Sequence, residues 1–193
     1  MLLASLLYTD GINTIIRMAS VYAAEVGILD KHIILALLLV QIVAVPFSFL
    51  FARLAHWIGA KNSVLIAVAV YAIVTLLGYR MKTAADFYLL ATLVGMVQGG
   101  GQALSRSLFA SLIPRQRSSE FFGFFGVLEK FAGILGPALF AAAMQLTGSS
   151  RSAIVSVVVF FVAGALLLRG VDVEAGRQAA RVAADAMPAA AAS

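Results

Sequence analysis

Polar and charged side chains recur on one face of the first apolar stretch of the chain, LLYTDGINTIIRMASVYAAEVG. Asp10 and Arg17 are seven residues apart, which brings them to nearly the same face of a helix, with Asn13 and Thr14 flanking that line. Ionisable side chains inside a membrane span are costly and are by default functional. We predict that these four residues line a solute pathway. In it, Arg17 attracts an anionic group and Asp10 receives a proton or the amine of a substrate. A structural alternative stays open, in which Asp10 and Arg17 only find fixed partners on neighbouring helices.

A second group of polar side chains lies in the stretch from Gly95 to Pro114, GMVQGGGQALSRSLFASLIP. Gln98 and Gln102 form one stripe of a helix, and an amide in hydrocarbon costs free energy unless it has a partner. We therefore expect both to face protein or a water-filled cavity, as part of the same solute pathway. Small residues form another stripe that allows a second helix to approach closely: Gly95, Gly99, Ala103 and Ser107.

For the other charged residues in apolar sequence, the evidence for a functional role is weaker. Arg106, Glu129 and Lys130 are predicted as possible coupling or structural charges, and the adjacent pair Glu129 and Lys130 points about 100° apart on a helix. In the alternative without a functional role, the Lys130 side chain snorkels to the membrane surface or pairs with a carboxylate. The run GILGP that follows predicts a bend, because Pro137 frees a carbonyl of the preceding turn.

The composition is that of a membrane protein. Hydrophobic residues make up 62% of the chain and charged residues 12%, against roughly one quarter charged residues in soluble domains. The chain has no cysteine, which excludes disulfide and thiolate chemistry. The net charge of +5 comes from basic residues at the ends of apolar runs, so we expect no nucleic-acid partner.

Six apolar segments are each near the roughly 20 residues that a helix needs to cross a bilayer. No segment has the period-two alternation of a barrel strand, so the predicted fold is an all-α membrane protein with six transmembrane helices. The segments are about Leu2–Ala24, Ile33–Arg53, Asn62–Tyr79, Ala85–Ser107, Phe121–Leu146 and Ser152–Leu168.

Six spans put both termini on one side of the membrane, and basic residues favour the cytoplasmic side. Eight Lys and Arg residues fall on the side of the termini and four on the other, so we expect cytoplasmic termini and location in the plasma (inner) membrane. The eight are Arg53, Lys61, Arg106, Arg115, Arg117, Arg169, Arg177 and Arg181, and the four are Lys31, Arg80, Lys82 and Arg151. Residues 1–170 are predicted to form the bundle and the alanine-rich residues 171–193 a flexible cytoplasmic tail.

Several runs of the chain resemble the major facilitator superfamily, and within it the branch of autophagy-linked vacuole effluxers and their bacterial relatives. The runs are YTDGINTIIRMA, VQGGGQALSRSLFASLIP, EFFGFF, KFAGILGP and QLTGSSR. FARLAHWIGAK is similar to the cytoplasmic loop motif of the superfamily, with Gly59 and Lys61 at its glycine and basic positions and His56 at its acidic position.

The resemblance implies a fold of two six-helix halves, of which this chain is similar to the second, with nested three-plus-three inverted repeats. It also implies that segments one and four line the central cavity, which agrees with the position of the polar stripes. A lone half does not enclose a substrate, so we expect a missing N-terminal half or a second subunit. The chain is then a fragment, a split half or a self-pairing subunit. Met1 falls at the start of a span, which favours a fragment.

The leading functional hypothesis is half of a secondary active transporter that moves a small polar solute by alternating access. The resemblance suggests amino-acid efflux, and the buried carboxylate suggests proton coupling. A non-transporting membrane scaffold or assembly subunit is the alternative. We expect no enzyme, cofactor or metal site, because the only histidines, His32 and His56, lie near loops at opposite ends and no nucleophile–base pair can be built.

Overall fold

The chain folds into a bundle of α-helices. The computed structural model describes residues 1–114, 117–131 and 133–185, apart from the side chains at positions 128, 129, 131 and 185. Every regular element in this part of the chain is a helix, which agrees with the predicted all-α fold. The helices are α1 (Leu2–Glu25), α2 (Asp30–Ile58), α3 (Ala60–Gly78), α4 (Ala84–Ala110), α5 (Ser118–Phe131), α6 (Leu135–Thr147), α7 (Ser150–Ser156), α8 (Val158–Arg169) and α9 (Val173–Asp185).

The first four helices match the first four predicted segments, whereas the last two segments are interrupted. Segment five divides into α5 and α6, because Pro137 has no N–H to donate to the carbonyl of Gly133, four residues earlier. Segment six divides into α7 and α8 at a single turn residue, Val157. Residues 173–185, which were assigned to the flexible tail, form helix α9.

Among the described residues, three helical stretches are long and apolar enough to cross a membrane: α2, α3, and Ser150–Arg169, which combines α7 with α8. Helices α1 and α4 have 24 and 27 residues, which is sufficient length for a crossing, but their polar residues lower their mean hydropathy. The presence of six transmembrane spans and of an inverted repeat therefore stays a prediction.

Two residues of the predicted small-residue stripe of α4, Gly95 and Gly99, pack against α2, whereas Ala103 and Ser107 are exposed. A Cβ built at Gly95 would lie 2.9 Å from the carbonyl oxygen of Val40, and one at Gly99 would lie 3.2 Å from that of Ala44. Because both contacts are with backbone, the two helices approach as closely as glycine allows. Helix α3 packs on another face of α4, with Ala67 against Gly101.

Helix α1 packs against α8 through a similar pair of glycines. Gly11 of α1 contacts Phe161, and Gly164 of α8 contacts Tyr8. Phe161 in turn stacks on Tyr71 of α3, with ring centroids 5.7 Å apart. Through these contacts α8 joins α1 to the group formed by α2, α3 and α4.

The start of α3 is tied to the end of α8. Gly59 adopts a left-handed backbone with φ of 85° and ends α2, so α3 begins immediately afterwards. Lys61 then donates hydrogen bonds to the carbonyl oxygens of Arg169, at 2.8 Å, and Val171, at 2.7 Å. Arg169 is the last residue of α8 and Val171 follows it, and the helix dipole also favours a cation at this end of the helix.

We expect Lys61→Met to lower the free energy of unfolding by roughly 1–2 kcal/mol, because two carbonyls at the end of α8 lose a charged donor. Thermal unfolding of the purified full-length protein in mild detergent measures the effect. Lys82→Met is the matched control, since the Lys82 side chain is exposed and only its backbone N–H is bonded, to Asp86. Equal stability of the two variants would contradict the assignment.

Candidate functional site: the polar face of α1 and the cavity beside α4

Asp10 and Thr14 are completely buried in the bundle. Both have 0% of their surface exposed. The Thr14 hydroxyl donates to the backbone carbonyl of Asp10 at 2.7 Å. Within the described part of the chain, neither carboxylate oxygen of Asp10 makes a hydrogen bond of normal geometry, although the backbone of Gly136 and the charge of Arg17 are near enough to interact with it. Because burying a charge is costly, this carboxyl is a candidate functional group.

The polar face of α1 lies against the break between α5 and α6. A Cβ at Gly136 would overlap the Thr14 side chain and would lie 3.1 Å from the carbonyl oxygen of Asp10. One turn further along α1, Arg17 donates to the carbonyl oxygen of Gly133 at 3.4 Å. That carbonyl is the one that Pro137 leaves without its helical donor. Arg17 therefore has a structural partner, as in the alternative stated for it above, although its side chain stays exposed.

The remaining predicted pathway residues are placed less tightly. Asn13 is half-buried on the flank of the α1 face, Gln98 is half-buried on α4, and Gln102 is exposed. The structure does not bring Asp10 and the two glutamines to one point. Asp10 and Thr14 face α6, whereas Gln98 lines a separate cavity.

Helices α1 and α4 are joined instead by a buried hydrogen bond between the hydroxyls of Tyr8 and Ser105. Sequence analysis missed this pair. Tyr8 shares its face of α1 with Gly11, which is the packing face, and no polar periodicity marks it. Ser105 lies between two residues that were singled out, Gln102 and Arg106, and the spacing alone gives no reason to choose it.

A cavity of about 370 Å³ opens between α1, α2, α3 and α4. Its walls are almost entirely apolar, and the two amide side chains that reach it are Gln41 of α2 and Gln98 of α4. Gln41 was not among the residues predicted to line the solute pathway. The structure places it on the same cavity as Gln98, so the pair offers donors and acceptors to one end of a bound molecule.

Two of the three predicted coupling charges, Arg106 and Lys130, are not among the residues that line this cavity. Lys130 is exposed, and Arg106 is exposed but has an interaction partner. The side chain of Glu129 lies outside the described residues. Among the residues described, no three His, Asp or Glu side chains are grouped as a metal site.

Comparison with known proteins agrees with this architecture. The family described as vacuole effluxer Atg22 like matches residues 1–181. The chain is 43% identical over 173 residues to the uncharacterized MFS-type transporter YxiO of Bacillus subtilis (strain 168), covering 90% of this chain and 40% of that protein. It is 31% identical over 196 residues to autophagy-related protein 22 of Cryptococcus neoformans var. neoformans serotype D (strain B-3501A), covering 93% of this chain and 36% of that protein.

A shorter similarity covers half of the chain. This chain is 38% identical over 101 residues to autophagy-related protein 22 of Kluyveromyces lactis, and the aligned region covers 52% of this chain and 20% of that protein. The chain thus spans well under half the length of these relatives. The family match confirms the resemblance predicted from the sequence runs, and the chain belongs to the vacuole effluxer Atg22-like family of membrane proteins.

Proposed function

We propose that this chain is the C-terminal six-helix half of a secondary active transporter, which exports a small solute by alternating access. The observation that carries the proposal is the Asp10 carboxyl, a titratable group that is 0% exposed and makes no hydrogen bond with another side chain of the described structure. A fold that needed only stability would gain from an apolar residue there. Retention of an acid at this depth is what proton or cation coupling requires.

The rest of the transporter is a second bundle that closes the pathway. The Bacillus relative named as a transporter is aligned over only 40% of its length, which leaves sufficient chain for another six-helix half. Alternating access then rocks the two halves about the bound solute. We propose location in the plasma (inner) membrane, with both termini in the cytoplasm.

The cavity beside α4 indicates the kind of solute. Its apolar walls favour a molecule with an apolar body, and the amides of Gln41 and Gln98 favour one polar end. An amino acid has both parts and is the class that we propose. Asn13, which is half-buried, and Gln102, which is exposed, are proposed to contact the solute as it enters or leaves.

Proton coupling is proposed to act through the contact of α1 with the break between α5 and α6. Asp10 and Thr14 touch this break at Gly136, and Arg17 holds the free carbonyl of Gly133. Uptake of a proton by Asp10 removes a charge from this contact. The packing of α1 on α6 then changes, and α1 also borders the cavity through Ile15, Ile16 and Ala19.

The test is solute flux in proteoliposomes that contain the full-length protein and a panel of labelled amino acids. We expect flux above that of protein-free vesicles, and we expect Gln98→Leu to reduce it by about tenfold, because one hydrogen bond to the solute is lost. Gln145→Leu, at an exposed position of α6, should leave the flux unchanged. Absence of flux for every solute would favour the scaffold alternative.

A further inference from the structure

A second groove lies on a different side of α4 from the cavity just described. Its volume is about 400 Å³, its floor is α4, and its walls are α2 and α3. The lining is apolar, as shown by Phe47 and Leu50 of α2, Ile66 and Val70 of α3, and Leu93 and Met96 of α4.

The position of the groove on α4 turns it away from the candidate pathway. Leu93 in its floor and Gln102 are nine residues apart on one helix, which is about half a turn of rotation. In a membrane-spanning bundle whose Gln102 side faces the pathway, the groove therefore faces the hydrocarbon of the bilayer.

The length of the groove corresponds to one leaflet. On α2 its lining runs from Phe47 to Trp57, ten residues or about 15 Å along the helix axis. The hydrocarbon core of a bilayer is about 30 Å thick, so the groove covers about half of it.

A cation and an aromatic ring lie at one end of the groove. The guanidinium carbon of Arg53 is 5.7 Å from the centroid of the Trp57 ring, and Trp57 is 76% exposed. No residue in the described ranges offers Arg53 a hydrogen bond or a carboxylate. Tryptophan and arginine next to an apolar surface are typical of the membrane interface, and this end of α2 is followed by a further basic residue, Lys61.

We propose that this groove binds an anionic phospholipid of the surrounding bilayer. One acyl chain lies between α2 and α3 on the floor formed by α4, and the lipid phosphate accepts hydrogen bonds from the Arg53 guanidinium. Charge complementarity supports this occupant, because a phosphate is the anion that a guanidinium at this depth meets most often. The proposal rests on the proposed function for the orientation of the bundle, with the Gln102 side of α4 toward the pathway, but retention of the lipid is measured without any transport.

The experiment is native mass spectrometry of the full-length protein, delipidated in mild detergent and supplied with phosphatidylglycerol or phosphatidylcholine of the same acyl chains. We expect wild-type protein to retain phosphatidylglycerol in preference to phosphatidylcholine. Arg53→Gln should reduce this preference by about fivefold, as expected for loss of one interfacial cation. Arg80→Gln is the control, since Arg80 is exposed at the opposite end of the bundle, and it should keep the preference.

A second variant tests the apolar part of the site. Ile66 is 41% exposed, so Ile66→Trp fills the groove without disturbing the core and should reduce retention of both lipids. Ile73→Trp, on the same face of α3 but outside the groove, should not. The proposal is overturned if wild-type protein retains the two lipids equally or if Arg53→Gln keeps the preference. It is also overturned if Ile66→Trp leaves the retention of both lipids unchanged, which is the result expected if another part of the chain covers the groove.

Discussion

Asp10→Asn should reduce proton-driven net solute flux by at least tenfold while solute exchange across the membrane continues. Asparagine has nearly the same shape as aspartate but does not take up or release a proton. Exchange of internal for external solute requires only that the loaded protein change its orientation, whereas net flux requires Asp10 to lose its proton. The Asp10 carboxylate makes no hydrogen bond with another side chain in the described structure, so the substitution removes the titratable group without breaking a side-chain pair.

Both fluxes are measured in the same proteoliposomes, with an imposed pH gradient for net flux and equal solute on both sides for exchange. Asp30→Asn is the control, because Asp30 is an exposed carboxylate in the first turn of α2 and should leave both unchanged. Loss of net flux and exchange together would point to a structural role for Asp10. Unchanged net flux would remove it from the mechanism.

Gly95→Ala should lower the stability of the bundle by roughly 1–3 kcal/mol, the usual cost of overpacking a tight contact. The added Cβ would lie 2.9 Å from the carbonyl oxygen of Val40 and 3.0 Å from the Cβ of Val43. Neither is the end of a flexible side chain, so α2 and α4 have to separate. Thermal unfolding in detergent measures this as a lower midpoint.

Gly123→Ala is the matched control for this variant. Gly123 lies within α5, and a Cβ there meets nothing within 4 Å. Alanine is favoured over glycine in a helix by about 1 kcal/mol, so this variant should be as stable as the wild type or more so. If Gly95→Ala and Gly123→Ala have the same unfolding midpoint, glycine at position 95 is not required for the close approach of α2 and α4.

Local patterns predicted most of the helices and several of their contacts. Apolar length predicted α1 to α4 within a few residues. The four-residue spacing of Gly95 and Gly99 predicted a close helix contact, which α2 makes. The GILGP run predicted a bend, and the structure has a complete break before Leu135. These features depend on residues close in sequence, so their physical causes are visible in the sequence itself.

The grouping of the polar residues required the tertiary structure. Helical periodicity placed Asp10, Thr14 and Arg17 on one face of α1, but it did not identify the element that covers the face. The packing shows that α6 covers it, with Arg17 bonded to the carbonyl that Pro137 frees. The tertiary structure also places Gln41 and Gln98 on one cavity and forms the hydrogen bond between Tyr8 and Ser105, and both features bring together distant parts of the chain.

The sequence by itself determined that the chain is helical, apolar and similar to a transporter family, because hydrophobic length and spacing along one helix are local properties. Only the tertiary structure decided which faces of the helices contact each other. The rotation and neighbours of each helix depend on contacts summed over the whole bundle, such as those at Gly95, Gly136 and Gly164. No spacing within a single helix contains that information.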